Sequence, residues 1–160
     1  EAARIAHQNG REVSMTLSDP FCVDRYRDEF LDLMRTGTVD IVFANKQELL
    51  SLYQTEDFRG ALDKIAGDCK LAAITLSEEG AMLVRGEERV KVDALPIKEL
   101  VDTTGAGDLF ASGFLFGYTQ GRALEDCGKL GCLAAAAVIQ QLGPRPMVSL
   151  KAAAAEAGLT

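Results

Sequence analysis

Asp40-Ile41-Val42-Phe43-Ala44-Asn45-Lys46-Gln47-Glu48 is the stretch whose reading decides the fold. Its first half is short and almost wholly apolar, as expected of a parallel strand buried on both faces. Its second half turns polar at once, with Asn45 placed to cap a helix and an acid three residues on. Leu71-Ala72-Ala73-Ile74-Thr75-Leu76 offers another buried strand, and helix-like sequence fills the interval, first to Tyr53 and again from about Asp57 to Gly67. Upstream, Val13 to Leu17 alternates apolar and small polar residues, and Ser18-Asp19-Pro20 breaks the run. Charged, helix-period sequence then extends from about Val23 to Arg35 and ends at Thr36-Gly37-Thr38. The first nine residues suit an amphipathic helix, stopped by a left-handed turn at Asn9-Gly10. The order αβαβαβ with short connections predicts a parallel sheet covered by helices, because parallel neighbours need crossover connections.

Beyond this core, Ala81 to Val84 and Arg89 to Val92 flank Gly86-Glu87-Glu88, which predicts an antiparallel hairpin at the edge of the sheet. Val101 to Phe110 reads as a glycine-rich turn entering a helix that lasts to about Thr119. A second helix covers roughly Ala123 to Gln140, with Leu124, Cys127, Gly131, Ala134 and Val138 at helical spacing. Leu142-Gly143-Pro144-Arg145-Pro146 is a stiff loop, and Ser149 caps a final helix ending near Gly158.

The composition belongs to one folded domain: 160 residues, 48% hydrophobic and 26% charged, with 15 Gly and 4 Pro, exclude disorder and repetitive tracts. A net charge of −7 disfavours a broad basic surface for nucleic acid, so any phosphate must be held locally. No apolar run approaches the roughly 18 residues that span a bilayer, and no signal sequence opens the chain, which predicts a cytoplasmic protein with no membrane partner. Cys22, Cys69, Cys127 and Cys132 form no CxxC pair, and with the single His7 they make no zinc site; reduced thiols are expected. The chain opens at Glu1 without Met, as if entered midway through a helix, and so an N-terminal part of a larger protein is expected before it.

The chemistry concentrates in Asp102-Thr103-Thr104-Gly105-Ala106-Gly107-Asp108. At a helix start the first N–H groups lack intrahelical partners and carry the positive end of the dipole, so they bind anions, and glycine lets a phosphate come close. Asp108 would stand beside such an anion, where a carboxylate accepts a proton from an attacking hydroxyl. The alternative is a tight turn at Gly105 and Gly107 with Asp108 stabilising the helix dipole. No GK[ST] follows, so this is no Walker A loop, and Phe110 occupies the place of the third glycine of a dinucleotide motif.

Asp102 to Asp108, followed by Ala111-Ser112-Gly113-Phe114, resembles the C-terminal signature of the PfkB (ribokinase-like) carbohydrate and nucleoside kinases. Asn45-Lys46-Gln47-Glu48 is similar to the family's NxxE motif, and Thr75-Leu76-Ser77-Glu78-Glu79-Gly80 to its nucleotide loop, in the family's order. Each falls at the C-terminal end of a predicted strand, where open α/β sheets bind ligands. The resemblance implies a Rossmann-like three-layer α/β/α fold of ribokinase type. Residues 1–160 would be its C-terminal, ATP-binding and catalytic part, with the N-terminal portion and lid absent.

By the same resemblance, Asp108 is the general base, and Gly105, Ala106 and Gly107 form the anion hole for the γ-phosphoryl of ATP. Asn45, Thr75, Ser77, Gly80 and Gly131 serve the nucleotide, although Asn45 with Glu48 is also an ordinary helix cap and Gly131 also suits helix packing. Ser77 stands where many relatives carry Gly. Glu48 holds Mg²⁺ through metal-bound water, and Asp102 with Thr104 are candidate ligands of a monovalent cation such as K⁺. Met15-Thr16-Leu17-Ser18-Asp19-Pro20-Phe21 is similar to the matching strand end of adenosine kinases, which points to adenosine as acceptor, with a sugar as the alternative. The expected partner is that small molecule alone, with a homodimer open as the assembly. A non-catalytic nucleotide-binding relative and a Rossmann-type dinucleotide module are the competing functions.

Overall fold

The structure, a computed structural model, describes residues 1–159; Thr160, the last residue of the expected domain, lies outside the described residues. The elements are α1 (Ala2–Gln8), β1 (Ser14–Thr16), α2 (Pro20–Arg25), α3 (Arg27–Arg35), β2 (Ile41–Asn45), α4 (Lys46–Tyr53), α5 (Phe58–Asp68), β3 (Leu71–Thr75), β4 (Ala81–Arg85), β5 (Glu88–Val92), α6 (Ala106–Thr119), α7 (Leu124–Val138) and α8 (Leu150–Glu156), with a single 3₁₀ turn at Ser77–Glu79. The strands form one open sheet in the order β1-β2-β3-β4-β5, parallel from β1 through β3. The two-residue turn Gly86-Glu87 makes β4 and β5 an antiparallel hairpin, and Glu88, expected in the turn, opens β5. The described residues divide into two compact units, residues 1–75 with 83–89 and residues 76–82 with 90–159.

In the first unit, β2 and β3 are buried along their first four residues, and Ile41, Val42, Leu71, Ala72, Ala73 and Ile74 form its centre. Leu31 and Met34 of α3, Leu49 and Leu52 of α4 and Ala61, Leu62 and Ile65 of α5 supply the helical side of that core. Tyr53, at the end of α4, donates its hydroxyl hydrogen to Asp68 at 2.9 Å, and the Arg35 guanidinium grips the same carboxylate with bonds of 2.9 and 3.1 Å. Three helices are thereby tied together at their ends. Gly10, with φ of +65°, ends α1 as expected, and its N–H donates to His7 O at 2.9 Å.

The continuous helix expected from Val23 to Arg35 is two helices. Pro20, read from sequence as a breaker, is the first residue of α2, and the Asp19 carboxylate accepts the Cys22 N–H at 2.9 Å. A proline there loses no hydrogen bond and has the helical φ already set. Tyr26, with φ −121° and ψ 30°, leaves the helical region and separates α2 from α3.

In the second unit, α6 and α7 pack through glycines. A Cβ on Gly113 would lie 2.3 Å from the Leu130 carbonyl oxygen, and one on Gly117 3.2 Å from Cys127 Cα. Phe110, Phe114 and Tyr118 stack along α6 with centroids 6.3 and 6.1 Å apart. The Ser149 hydroxyl caps α8 by accepting the Ala152 N–H at 3.2 Å. Cys127 and Cys132 are buried and Cys22 and Cys69 half-buried, and among the described residues no disulfide joins them. No helix among the described residues is long and apolar enough to cross a membrane.

Candidate functional site

In the first unit, the register of β2 with β3 sets Asn45 directly beside Thr75, both at the C-terminal ends of their strands. Asn45 also caps α4. Its Oδ1 accepts the Glu48 N–H at 2.8 Å, while the Glu48 carboxylate accepts the Asn45 backbone N–H at 2.9 Å and the Asn45 side-chain amide at 2.7 Å. This closed capping box holds a carboxylate that is only 5% exposed. Desolvation pushes the Glu48 carboxyl above its usual range, the Asn45 N–H opposes that rise, and the charge of Asp19 adds to it. Each Glu48 oxygen has one donor and can accept another, so a metal-bound water fits the donor set. Among the described residues no group of three or more His, Cys, Asp or Glu could hold a metal.

The second unit carries the remaining predicted residues. Leu76 to Gly80 form a tight loop closed by the Leu76 N–H on Gly80 O at 2.8 Å. Ser77 takes a left-handed φ of +55°, which explains why glycine suits this position. Gly80, at φ +90°, is confined further, since a Cβ there would fall 2.0 Å from Val92 O.

The glycine-rich turn is built as a helix start. Gly105, at φ +80°, is the N-cap of α6, and Ala106, Gly107 and Asp108 are its first three residues. The Ala106 N–H closes a turn onto Thr103 O at 3.1 Å. The Gly107 and Asp108 amides lie in the first turn, where no acceptor exists four residues back within the helix. A Cβ on Gly107 would meet nothing within 4 Å, so the side-chain position there is open. Asp108 is exposed at the same end.

Asp102 anchors the turn from below. Its Oδ1 accepts the Thr104 N–H at 2.9 Å and its Oδ2 the Gly143 N–H at 2.9 Å. The Thr104 side chain, then the Thr104 and Gly143 amides, hold the Asp102 carboxyl below the ordinary range. Pro144 closes over the turn: a Cβ on Gly105 would lie 2.7 Å from Pro144 Cβ. Sequence reading named this loop as stiff without giving Pro144 a role; the pairing of a φ-positive glycine with a distant proline leaves no local signal.

Asn45, Glu48 and Thr75 are thus brought together in one unit, and Asp102, Thr104 and residues 105–108 in the other. Ser77 and Gly80 occupy a loop of their own. Gly131 lies on the contact between α6 and α7, where a Cβ would sit 2.9 Å from the Phe110 ring and carbonyl oxygen.

The pattern of the pfkB family carbohydrate kinases matches residues 1–151. A crystal structure of a probable sugar kinase from Rhizobium etli superposes with a TM-score of 0.98 at 74% identity, over 99% of this chain and 48% of that one. Adenosine kinase from Sinorhizobium meliloti gives a TM-score of 0.96 at 69% identity, over 98% and 48%. A cytidine kinase from Thermococcus kodakarensis is 42% identical over 126 residues, 74% of this chain and 45% of the relative. The chain spans about half the length of these relatives.

Proposed function

Because the chain belongs to the pfkB carbohydrate kinase family, we propose that it carries the ATP-binding and base-bearing part of a kinase that transfers the γ-phosphoryl of ATP to a hydroxymethyl group of adenosine. The observation that carries the reading is Asp108, exposed in the first turn of α6, beside the Gly107 amide, which has no acceptor four residues back within the helix. The Asp108 carboxylate takes the proton of the acceptor hydroxyl as its oxygen attacks phosphorus. The backbone of Gly105, Ala106 and Gly107 receives the phosphoryl oxygens, the Gly107 amide directly and the Ala106 amide as it is shared with Thr103. Fixed N–H dipoles of this kind stabilise charge without reorganising at the moment of reaction.

Thr75, Ser77 and Gly80 are assigned to the nucleotide in this reading, whereas Gly131, whose open side is taken by Phe110, is left to helix packing. Bound Mg²⁺ neutralises charge on the ATP phosphates. Glu48, steadied by Asn45, accepts hydrogen bonds from the ion's water shell. K⁺ at Asp102 and Thr104 would compete with the Thr104 and Gly143 amides for the same carboxylate, and the steps proposed use no K⁺.

Adenosine as acceptor is supported by the Sinorhizobium meliloti relative at 69% identity, and a free sugar by the name of the Rhizobium etli relative. The test is ATP-dependent ADP release by the complete protein with adenosine or ribose. Asp108→Asn should lower kcat by about 10² to 10⁴, the usual worth of a general base, while leaving ATP binding in place. Undiminished turnover in Asp108→Asn refutes the base. Release with ribose alone assigns the acceptor to sugars, and release with neither returns the non-catalytic nucleotide-binding function.

A further inference from the structure

We propose that Gln141 is a positioning residue for the anion hole, clasping the loop that fixes Gly105 at the start of α6. This rests on the reading of residues 105–107 as the phosphate site.

Gln141 lies just beyond the end of α7. Its side-chain amide donates to the Arg145 carbonyl at 2.5 Å, and its carbonyl oxygen accepts the Met147 N–H at 2.8 Å. One planar group therefore closes the loop between residues 141 and 147 from both sides. Burial of its large side chains adds little: Leu142 and Met147 are 80% and 85% exposed, and Gly143 stands at φ +82°. A second anchor is the Gly143 N–H on Asp102 at 2.9 Å. Between the two anchors sits Pro144, whose Cβ is 2.7 Å and Cα 3.0 Å from where a Cβ on Gly105 would be. Gly105 can take its left-handed conformation against Pro144 only because it has no side chain. The loop in turn limits where Gly105, and the amides after it, can move.

The preceding residue does the matching work on the other flank. Gln140 accepts the Lys98 N–H at 2.9 Å and donates to Ala136 O at 2.8 Å, while the Val101 N–H donates to Ile139 O at 2.9 Å. Consecutive glutamines at the end of α7 thus tether the segment before the glycine turn and the loop packed over it. Gln141 touches no reacting atom in this scheme; it acts through Pro144 and Gly105.

A loosened anion hole misplaces donors to the transferring group, so the loss belongs in kcat. The experiment compares the complete protein with Gln141→Ala and Gln141→Glu, measuring kcat and KM for ATP together with the thermal midpoint. Glu keeps the acceptor toward Met147 and removes the donor toward Arg145. In both variants kcat should fall about tenfold, as small errors of orientation do, with KM for ATP within about twofold of the parent, because uniform binding is untouched. If Gln141→Ala fails to fold, Gln141→Glu carries the comparison. Parent-like kcat in the folded variants overturns the proposal. A matched loss of kcat and rise of KM accompanied by a lower thermal midpoint also overturns it, as a structural role only. An inactive parent is a separate outcome, which refutes the proposed kinase function and this inference with it.

Discussion

Two glycines of α6, six residues apart, should respond oppositely to the same substitution. In Gly113→Ala the new methyl would lie 2.3 Å from the Leu130 carbonyl oxygen, 2.8 Å from its carbon and 3.0 Å from the Gly131 nitrogen. All three are backbone atoms, so no rotamer change relieves the contact. Van der Waals separation is about 3.5 Å, and α6 must move from α7 by about 1 Å. Overpacking of this kind costs about 1–3 kcal/mol, while replacing glycine by alanine returns about 0.4–1 kcal/mol through the unfolded state. The net expectation is a loss of about 1–2 kcal/mol. In Gly107→Ala the methyl meets nothing within 4 Å, so stability should hold or rise by up to about 1 kcal/mol. The cost there falls on turnover, because residue 107 belongs to the proposed phosphate site. Urea denaturation of the complete protein measures both: Gly113→Ala lowers the midpoint at constant slope and Gly107→Ala does not. A Gly113→Ala protein as stable as the parent would refute backbone contact between the helices as what sets their spacing.

Ser77→Gly should raise the thermal midpoint. A left-handed φ costs a non-glycine residue about 1–2 kcal/mol, of which unfolded-state entropy reclaims about 0.4–1 kcal/mol; an unchanged or lowered midpoint contradicts this. Asp102 gives a pH dependence of known sign. Its carboxyl is held below the ordinary range by the Thr104 side chain and by the Thr104 and Gly143 amides. Its stabilising contribution is therefore complete above the unfolded value of about 4 and is lost as pH falls through the lower folded value. Thermal midpoints taken from pH 6 down to about 3 should fall more steeply for the parent than for Asp102→Ala, and parallel curves would count against the role given to Asp102.

The strands were legible because burial on both faces leaves an unbroken apolar run, as at Ile41 to Ala44 and Leu71 to Ile74, and few other local structures produce one. The turn at Gly105 and the cap at Asn45 were legible for the same reason: their residue types answer a local backbone demand. The break at Tyr26 was not, since tyrosine has no preference for leaving a helix. Ser18-Asp19-Pro20 ends the strand as read, but the helix begins at Pro20 and not near Val23, and Asp19 before the proline was the clue. What lay beyond sequence reading was everything set by distant partners: the Pro144 contact with Gly105, the clasp of Gln141, and the Phe110 ring that fills the space beside Gly131.

The near approach of α6 to α7 also bears on motion. Where side chains separate two helices, their spacing inherits the rotamer freedom of those side chains; at Gly113 the spacing is set by bond lengths and atomic radii. α6 is mounted directly on its neighbour's backbone at Gly113, five residues beyond Asp108, so the spacing of the two helices reaches the base without passing through a side chain.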